Sequence, residues 1–554
     1  MDADHGPLLQ AAATWAADDP DPVTRAEVQA LIAAADSGDA AAEADLADRF
    51  AGLLQFGTAG LRGALGGGPN RMNRAVVMLA AAGLTAYLRR TNPQPYVVLG
   101  YDGRVNSDVF ARDTAAVVTA AGGRAAVLPK ALPTPVLAYA VQALGADAGV
   151  MVTASHNPPQ DNGYKVYLND GAQIAPPVDR EIAAEIGAIG SVAQIPRARD
   201  GWETLDDDVL EAYLADVAAV VSASSPRNIT VVHTALHGVG SETVRRAFVA
   251  AGFPPPVQVA AQAEPDPTFP TLAFPNPEEP GAMDAALNLA EQTGPDLVIA
   301  NDPDADRCAV AIPTQAGWRV LRGDEVGVLL GVHLIERGRV SRTSVVATSI
   351  VSSGMLGVVC RAAGVEHVRT LTGFKWIARV PRLAYGYEEA LGYCVDPERV
   401  RDKDGVCAAL LIAELAAQLK AQGRTLAEKW DDLAREHGVY ATDAFAVRVE
   451  DLSLLEALLG RLRDAPPTRL AGFDVASVED LEKAHGQVPP TPGLRITLSD
   501  GSWVIVRPSG TEPKLKVYLE VVEAVHTGDL SRARRATGDR LTALRTALEQ
   551  LTDV

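Results

Sequence analysis

The chain runs to 554 residues, more than one hydrophobic core holds, and implies three or four domains. Its 50 Lys and Arg against 70 Asp and Glu leave a net charge of −20, which argues against nucleic acid or an anionic membrane surface as a partner. Any anionic ligand must then be held by local clusters of donors.

Cys308, Cys360, Cys394 and Cys407 have no CxxC or zinc-type spacing, so a reducing compartment is expected. The N-terminus lacks the basic and apolar regions of a signal peptide, and no stretch of about 18 apolar residues occurs. These features predict a soluble, cytoplasmic protein.

Residues 1–50 are acidic and Ala-rich, with a helical period over Val23 to Ala35 just after the breakers Pro20 and Pro22, and are predicted to form an N-terminal helical extension. A first domain is expected over 51–222. It opens on the glycine-dense segment Phe56 to Gly63. Helices (Ala75 to Arg89, Ser107 to Ala121) then alternate with strands (Tyr96 to Gly100, Ala125 to Leu128), the pattern of parallel α/β layers.

The next apolar strand ends in Val152-Thr153-Ala154-Ser155-His156-Asn157-Pro158, followed by Asn162-Gly163-Tyr164-Lys165. Pro158 stops the strand and Gly163 is expected to bend the chain back, so Ser155 is presented in a turn. A second domain, 223–320, begins at Ile229 to Val232. It continues through a Pro-rich loop (Glu264 to Pro280), a helix (Ala282 to Gln292) and strand Leu297 to Ala300, which runs into Asn301-Asp302-Pro303-Asp304-Ala305-Asp306-Arg307.

A third domain, 321–439, holds helices at Glu325 to Glu336, Gly354 to Ala363 and from near Gly405, a strand at Ser344 to Thr348, and the run Tyr385 to Gly392. The fourth, 440–554, carries Trp503 to Val506 into Arg507-Pro508-Ser509-Gly510-Thr511-Glu512-Pro513 and closes on a helix, Ser531 to Leu551.

Asp302, Asp304 and Asp306 alternate through a turn at the carboxyl end of a buried strand, where α/β sheets place ligands. Three carboxylates so close repel one another unless a cation sits among them, and all-oxygen ligands select a hard ion, Mg²⁺ first. An EF-hand is excluded, since its sixth and twelfth positions would be Arg307 and Pro313. Arg307 puts a cation beside that site, suited to a phosphoryl oxygen.

Arg507 to Thr511 offers a guanidinium, two hydroxyls and a pliant backbone, the makings of a phosphate nest or of a plain hairpin loop. Gly238-Val239-Gly240 lacks the third glycine of a dinucleotide fingerprint, Thr243 standing in its place, and no P-loop motif occurs. Lys165 and Lys403 are candidate proton handlers or phosphate ligands. A Ser155–His156 pair is not expected, because neighbours on an extended strand point to opposite faces. Serine, metal site and nest together suggest phosphoryl transfer.

These residues resemble the α-D-phosphohexomutase superfamily, the phosphoglucomutases and phosphomannomutases. The resemblance runs collinearly from about Gln55 to Glu520 through Phe56 to Gly63, Thr153 to Lys165, Asp302 to Arg307, Thr370 to Lys375, Gly386 to Gly392 and Arg507 to Pro513. It implies three similar mixed α/β domains and a smaller α+β fourth domain around a central cleft. Ser155 would be the phosphoserine, with Mg²⁺ held by Ser155's phosphate, Asp302, Asp304 and Asp306.

Arg62, Lys165 and Lys403 would be the acid/base and phosphoryl-stabilising groups. Arg307, Thr372, Gly373 and Glu388 would contact the sugar, and Arg507, Ser509, Gly510 and Thr511 its distal phosphate. The implied reaction moves a phosphoryl group between C1 and C6 of a hexose phosphate, glucose first, through a sugar 1,6-bisphosphate that also acts as activator. The implied partner is a small phosphosugar, and the implied assembly a monomer or homodimer. Ala390 stands where many hexose-directed members carry Ser, a feature of the branch that includes phosphopentomutases and bisphosphate-forming enzymes. Phosphomannomutase, phosphopentomutase and sugar bisphosphate synthase are therefore the alternatives.

Overall fold

The computed structural model describes residues 5–55, 60–448, 452–483, 489–508, 514–526 and 529–552. They form two compact units. One runs to Val310 and takes in Asp396–Leu411; the other comprises Ala311–Val395 and the chain from Ile412 onward.

The first unit opens on three helices, His5–Asp18, Pro22–Asp36 and Ala40–Arg49, where one was predicted. Asp21 and Asp39 cap the second and third by accepting hydrogen bonds from first-turn amides, and Pro22 occupies the first turn, where its missing N–H costs nothing. Ala12, Ala16, Val28, Ala35, Ala42 and Leu46 form their common core. Small alanines make most of that contact, which is why apolar periodicity revealed only the middle helix.

A six-stranded sheet follows, in the order Leu61–Ala64, Asp161–Leu168, Ala148–Val152, Tyr96–Tyr101, Arg124–Val127, Glu203–Thr204. The three predicted strands run parallel as expected and are joined by a fourth, unpredicted one, Glu203–Thr204, but Asp161–Leu168 pairs antiparallel with both Ala148–Val152 and Leu61–Ala64, so the sheet is mixed. Gly163 does not turn the chain. It sits inside the antiparallel strand, where an added Cβ would lie 2.5 Å from the Thr153 carbonyl oxygen and 2.9 Å from that of Leu61. Glycine is needed there for close approach of neighbouring backbone. A second sheet centres on Val231–Thr234, parallel to Leu297–Ala300 and Val257–Gln258.

In the second unit a four-stranded sheet orders Glu366–Thr370, Val345–Ser349, Leu383–Glu388 and Gly392–Cys394, and only the last pairs antiparallel. Helices Gly323–Glu336 and Met355–Ala363 belong to this layer. The C-terminal sheet is six-stranded, from Val439–Arg448 through Lys514–Glu523, Trp503–Pro508, Leu494–Leu498 and Phe473–Asp480 to Arg469–Leu470, with every adjacent pair antiparallel. Alternation sorts its faces: Leu494, Ile496, Val504 and Val506 share a core with Leu544 and Leu548 of helix Leu530–Thr552, whereas Trp503, Ile505 and Tyr518 pack on Ile350 and Val351. Three mixed α/β layers followed by an antiparallel α+β layer are the architecture predicted, but the last layer, with six strands, is not the smaller one expected. Among the described residues no single helix is long and apolar enough to cross a membrane.

At the start of helix Gly323–Glu336, the buried Asp324 carboxylate accepts hydrogen bonds from the Ser353 amide (2.7 Å) and the Tyr387 hydroxyl (2.9 Å). Burial, with Glu389 and Glu520 nearby, pushes its carboxyl up to about 7. The folded protein therefore keeps a proton that the unfolded chain releases, so this group's contribution is full below pH 4 and is lost as pH rises towards 7. Asp324→Asn should retain both hydrogen bonds, unfold like the parent at pH 4 and be more stable at pH 8 by up to roughly 4 kcal/mol, at about 1.4 kcal/mol per pH unit. Urea titrations at the two pH values measure this. An Asn variant no more stable than the parent at pH 8 would remove the assignment.

Candidate active site

Strand Ala148–Val152 delivers Thr153, Ala154 and Ser155 beyond its carboxyl edge. The Ser155 amide donates to Thr153 Oγ1 at 2.8 Å, and Ser155 takes a left-handed conformation, φ +52°. The residue is buried, and its hydroxyl donates to Asp302 Oδ2 at 2.6 Å. Because the positive φ breaks the alternation of an extended strand, His156 Nδ1 also comes within 3.2 Å of Ser155 Oγ, against expectation. Burial, then Arg307 and Arg62, hold that imidazole well below the usual histidine range and so neutral. The shorter bond goes to the carboxylate, not to the ring.

Sequence reasoning missed the group that shapes this loop. The buried Arg104 guanidinium donates to the carbonyls of Ser155 (2.6 Å), Asn157 (2.5 Å), Pro158 (2.8 Å) and Asp161 (3.0 Å). Phe269 lies against it, the ring centroid 4.9 Å from Cζ. Asp102, 3.5 Å from Arg104 Nε, accepts from the Arg104 amide and from Ser107. A signal existed: Asp102-Gly103-Arg104 leaves the carboxyl end of strand Tyr96–Tyr101, which pairs in parallel with the strand carrying Ser155.

The Asp302–Asp306 loop leaves strand Leu297–Ala300. The Ala305 amide donates to the Asp302 carbonyl (2.8 Å), with Ala305 at φ +53°, and the Arg307 amide donates to Asp302 Oδ1 (3.1 Å). One carboxylate oxygen from each aspartate lies within 4.8 Å of the others, and all three residues are buried. Lys165 Nζ donates to Asp304 Oδ2 (2.7 Å) and Asp306 Oδ2 (2.8 Å), and Lys403 Nζ lies 3.2 Å from Asp306 Oδ2. Thr134, also missed from sequence, donates to Asp304 Oδ2 at 2.6 Å.

Burial works to raise the Asp306 carboxyl, yet Lys165, Lys403 and Arg307 hold it far below its ordinary range; burial and the other two aspartates push Asp302 well above it. Buried Asp304 Oδ1 and Asp306 Oδ1 have no hydrogen-bond partner among the described residues. Orphaned buried oxygens, an Asp302 carboxyl pushed up by its two neighbouring aspartates, and an all-oxygen donor set fit a hard divalent cation.

The remaining candidates of this unit gather at the same place. Arg307 Nε is 3.9 Å from both Asp302 Oδ2 and Asp306 Oδ1, and Arg62 donates to Asn157 Oδ1 at 2.8 Å. The Lys403 segment is fixed by buried tyrosines: Tyr167 donates to Asp402 Oδ2 (2.7 Å) and Tyr213 to Asp404 Oδ1 (2.9 Å). Although burial opposes it, the pull of Asp304 and Asp306 keeps the Lys165 ammonium above the ordinary lysine range, so it is charged.

Gly238-Val239-Gly240 serves the aspartate loop. The Val239 amide donates to the Pro303 carbonyl (2.8 Å), and a Cβ on Gly238 would lie 2.2 Å from Pro303 Cα. Gly238→Ala should therefore displace the loop, lowering the unfolding temperature and weakening by about tenfold or more the retention of any divalent cation that the three carboxylates hold. Calorimetric Mg²⁺ titration checks this, and parental affinity would contradict it.

In the second unit, Glu388 Oε1 accepts from the Gly373 amide at 2.6 Å, and the adjacent Thr372 Oγ1 is buried with no hydrogen-bond partner among the described residues. These three predicted sugar contacts therefore form one cluster. Gly373 has φ +113°. Arg507 ends strand Trp503–Pro508, while Ser509, Gly510 and Thr511, like residues 56–59 of the first glycine-dense segment, lie outside the described residues.

Comparison with known proteins matches four family models in order along the chain. Domains I, II and III of the phosphoglucomutase/phosphomannomutase family, each described as alpha/beta/alpha, match residues 53–192, 211–316 and 322–436, and the family's C-terminal domain matches 446–536. A probable phosphomannomutase of Haemophilus influenzae is 48% identical over 81% of this chain and 93% of its own length. The Mus musculus phosphopentomutase is 34% identical over 93% of this chain and 90% of its own. Among solved structures, a putative phosphomannomutase from Thermus thermophilus is 25% identical and covers 88% of this chain and 99% of its own, with a TM-score of 0.69. With every domain matched in order and the buried serine beside its carboxylates, the chain belongs to the phosphoglucomutase/phosphomannomutase family of intramolecular phosphotransferases.

Proposed function

We propose that this mutase interconverts glucose 1-phosphate and glucose 6-phosphate through a phosphoserine at Ser155 and a sugar 1,6-bisphosphate. The observation that carries the reading is the Ser155 hydroxyl, 2.6 Å from Asp302 at the edge of three buried carboxylates with two orphaned oxygens. In the first half-reaction the Ser155 Oγ–P bond breaks as phosphorus bonds the free sugar hydroxyl, whose proton leaves to a nearby base. The bisphosphate turns around, its other O–P bond breaks, Oγ takes up that phosphoryl group, and the sugar oxygen it leaves takes a proton back from the base.

Asp302, Asp304 and Asp306 would hold Mg²⁺ together with the phosphoserine. Bound there, the ion supplies positive charge against phosphoryl oxygens during a transfer in which little else need be done chemically. Lys165, already charged, stabilises the transferring group; Arg62, Arg307 and Lys403 add cationic donors around it. Arg104 holds the loop carbonyls, so Ser155 keeps its place while its phosphate comes and goes. Glu388, Gly373 and Thr372 bind the sugar, and Arg507, Ser509, Gly510 and Thr511 grip the phosphate that does not react.

A site that must accept its sugar in two opposite orientations favours a ring whose hydroxyls at C2, C3 and C4 are all equatorial, as in glucose. The 48% identity to a probable phosphomannomutase favours mannose phosphates as the second reading. Measuring kcat/KM for glucose, mannose, glucosamine and ribose 1-phosphates with Mg²⁺ and trace bisphosphate tests the choice, because specificity is a ratio of these values. Glucose 1-phosphate should lead. A higher value for mannose 1-phosphate would transfer the assignment to that sugar, and turnover of none would defeat the mutase reading.

A further inference from the structure

The second unit contains a cavity of about 770 Å³ lined by none of the candidate active-site residues. Helix Met355–Ala363 brings Arg361 to it, strand Glu366–Thr370 brings His367 and Arg369, and the C-terminal sheet brings Arg495, Tyr440 and Glu520. Two glycines, Gly354 and Gly357, leave backbone at its wall.

The charge in this cavity is unbalanced: three guanidiniums face Glu520, which attracts Arg369 and Arg495 without an ion pair, and Glu479, which lies near Arg495. Among the described residues, the guanidinium groups of Arg361, Arg369 and Arg495 make no hydrogen bond and no ion pair. Arg495 lies over the Trp503 ring, 5.3 Å from its centroid, which orients the guanidinium without neutralising it. Glu520 commits both carboxylate oxygens to neutral donors: Ser353 Oγ (2.5 Å) and the Gly354 amide (3.0 Å) at Oε1, and Trp503 Nε1 (2.7 Å) at Oε2. Asp500, at the rim, is ion-paired with Arg540 and accepts from Ser502. Burial and the nearby Arg369 and Arg361 hold His367 down to about 4, so it adds no charge at neutral pH and responds to the same cationic field.

Three guanidiniums around a half-enclosed space repel one another, and the field relaxes when an anion enters. The fork of a guanidinium matches paired phosphate oxygens. The volume suits a phosphorylated metabolite far better than a single phosphate ion, falling in the range of small-molecule sites, roughly 300–1,000 Å³. We propose that this cavity is a second ligand site for a small metabolite carrying two phosphate groups, held by Arg361, Arg369 and Arg495.

The occupant would bridge two sheets whose strands lead elsewhere. Strand Glu366–Thr370 runs directly into Thr372 and Gly373, and strand Trp503–Pro508 runs from the cavity wall to Arg507. Binding would therefore bias the placement of both segments. That coupling rests on the proposed sugar and phosphate contacts; the binding site itself does not.

Calorimetric titration of the full chain carrying Arg507→Ala, so that the proposed active-site phosphate grip is weakened, tests binding without turnover. The probes are inorganic pyrophosphate and fructose 1,6-bisphosphate. At least one should bind, and the tighter of the two identifies an inorganic or a sugar-borne source. Arg369→Gln and Arg495→Gln should each weaken that binding by about tenfold or more, the loss of one charge-assisted bidentate contact. Arg361→Gln, at an exposed position that does not threaten folding, should weaken it in the same direction, while Arg495→Lys should restore part of it. Affinity unchanged by all three Gln substitutions, or no binding of either probe, would overturn the proposal.

Discussion

Ser155→Ala should reduce kcat for sugar-phosphate interconversion by about four orders of magnitude or more, because in the proposed mechanism the substitution removes the atom that accepts and returns the phosphoryl group. No neighbour can substitute. His156 Nδ1 is near, but burial and two guanidiniums keep the ring neutral, and the Ser155 hydroxyl makes its shorter bond to Asp302. The same change removes one hydrogen bond to a buried carboxylate, so stability should move little compared with activity. Steady-state assays beside thermal unfolding separate the two effects. A variant within tenfold of the parental rate would dismiss Ser155 as nucleophile.

Lys165→Met should combine a stability loss with an activity loss. Lys165 and the two aspartates it bonds are all buried, so the shape-similar methionine leaves Asp304 and Asp306 without their closest cation. Breaking a buried ion pair by removing one partner costs roughly 3–5 kcal/mol. In chelator the variant should unfold well before the parent, and added Mg²⁺ should stabilise it more than it stabilises the parent, since the ion then supplies charge that the lysine no longer does. Turnover should fall by about a hundredfold or more, in line with loss of a positioned cation at the transferring group. Equal unfolding of variant and parent in chelator would contradict the charge balance described here.

The aspartate loop was legible in the sequence because its three carboxylates are consecutive in pattern and follow an apolar strand; side-chain chemistry and position sit together in the run from Asn301 to Arg307. Ser155 was legible in the same way, as a hydroxyl at a strand's carboxyl end. Arg104 was not, because it acts through backbone carbonyls more than 50 positions away, and carbonyls leave no mark on residue identity. The His156 contact escapes the strand rule because alternation ends one residue sooner than the rule assumes, at the left-handed Ser155.

The mixed character of the first sheet was hidden for a related reason. Asn162-Gly163 reads as a turn, yet the Asn162 side chain donates to the Val105 carbonyl and Ser107 Oγ while Gly163 lets the backbones close up, so a turn-forming pair serves a strand interior. That strand is what carries Lys165 to the aspartates. Local preference gave way to tertiary contact where the site needed it.

The most direct test of the central claim follows the phosphate itself. The full chain is incubated with Mg²⁺ and radiolabelled glucose 1,6-bisphosphate, quenched in acid within one turnover, and its peptides are mapped by mass spectrometry. The account predicts label on Ser155 alone, appearing as fast as turnover requires and discharged by glucose 1-phosphate or glucose 6-phosphate. Full turnover with no phosphate on Ser155, or with the label on another residue, would contradict it.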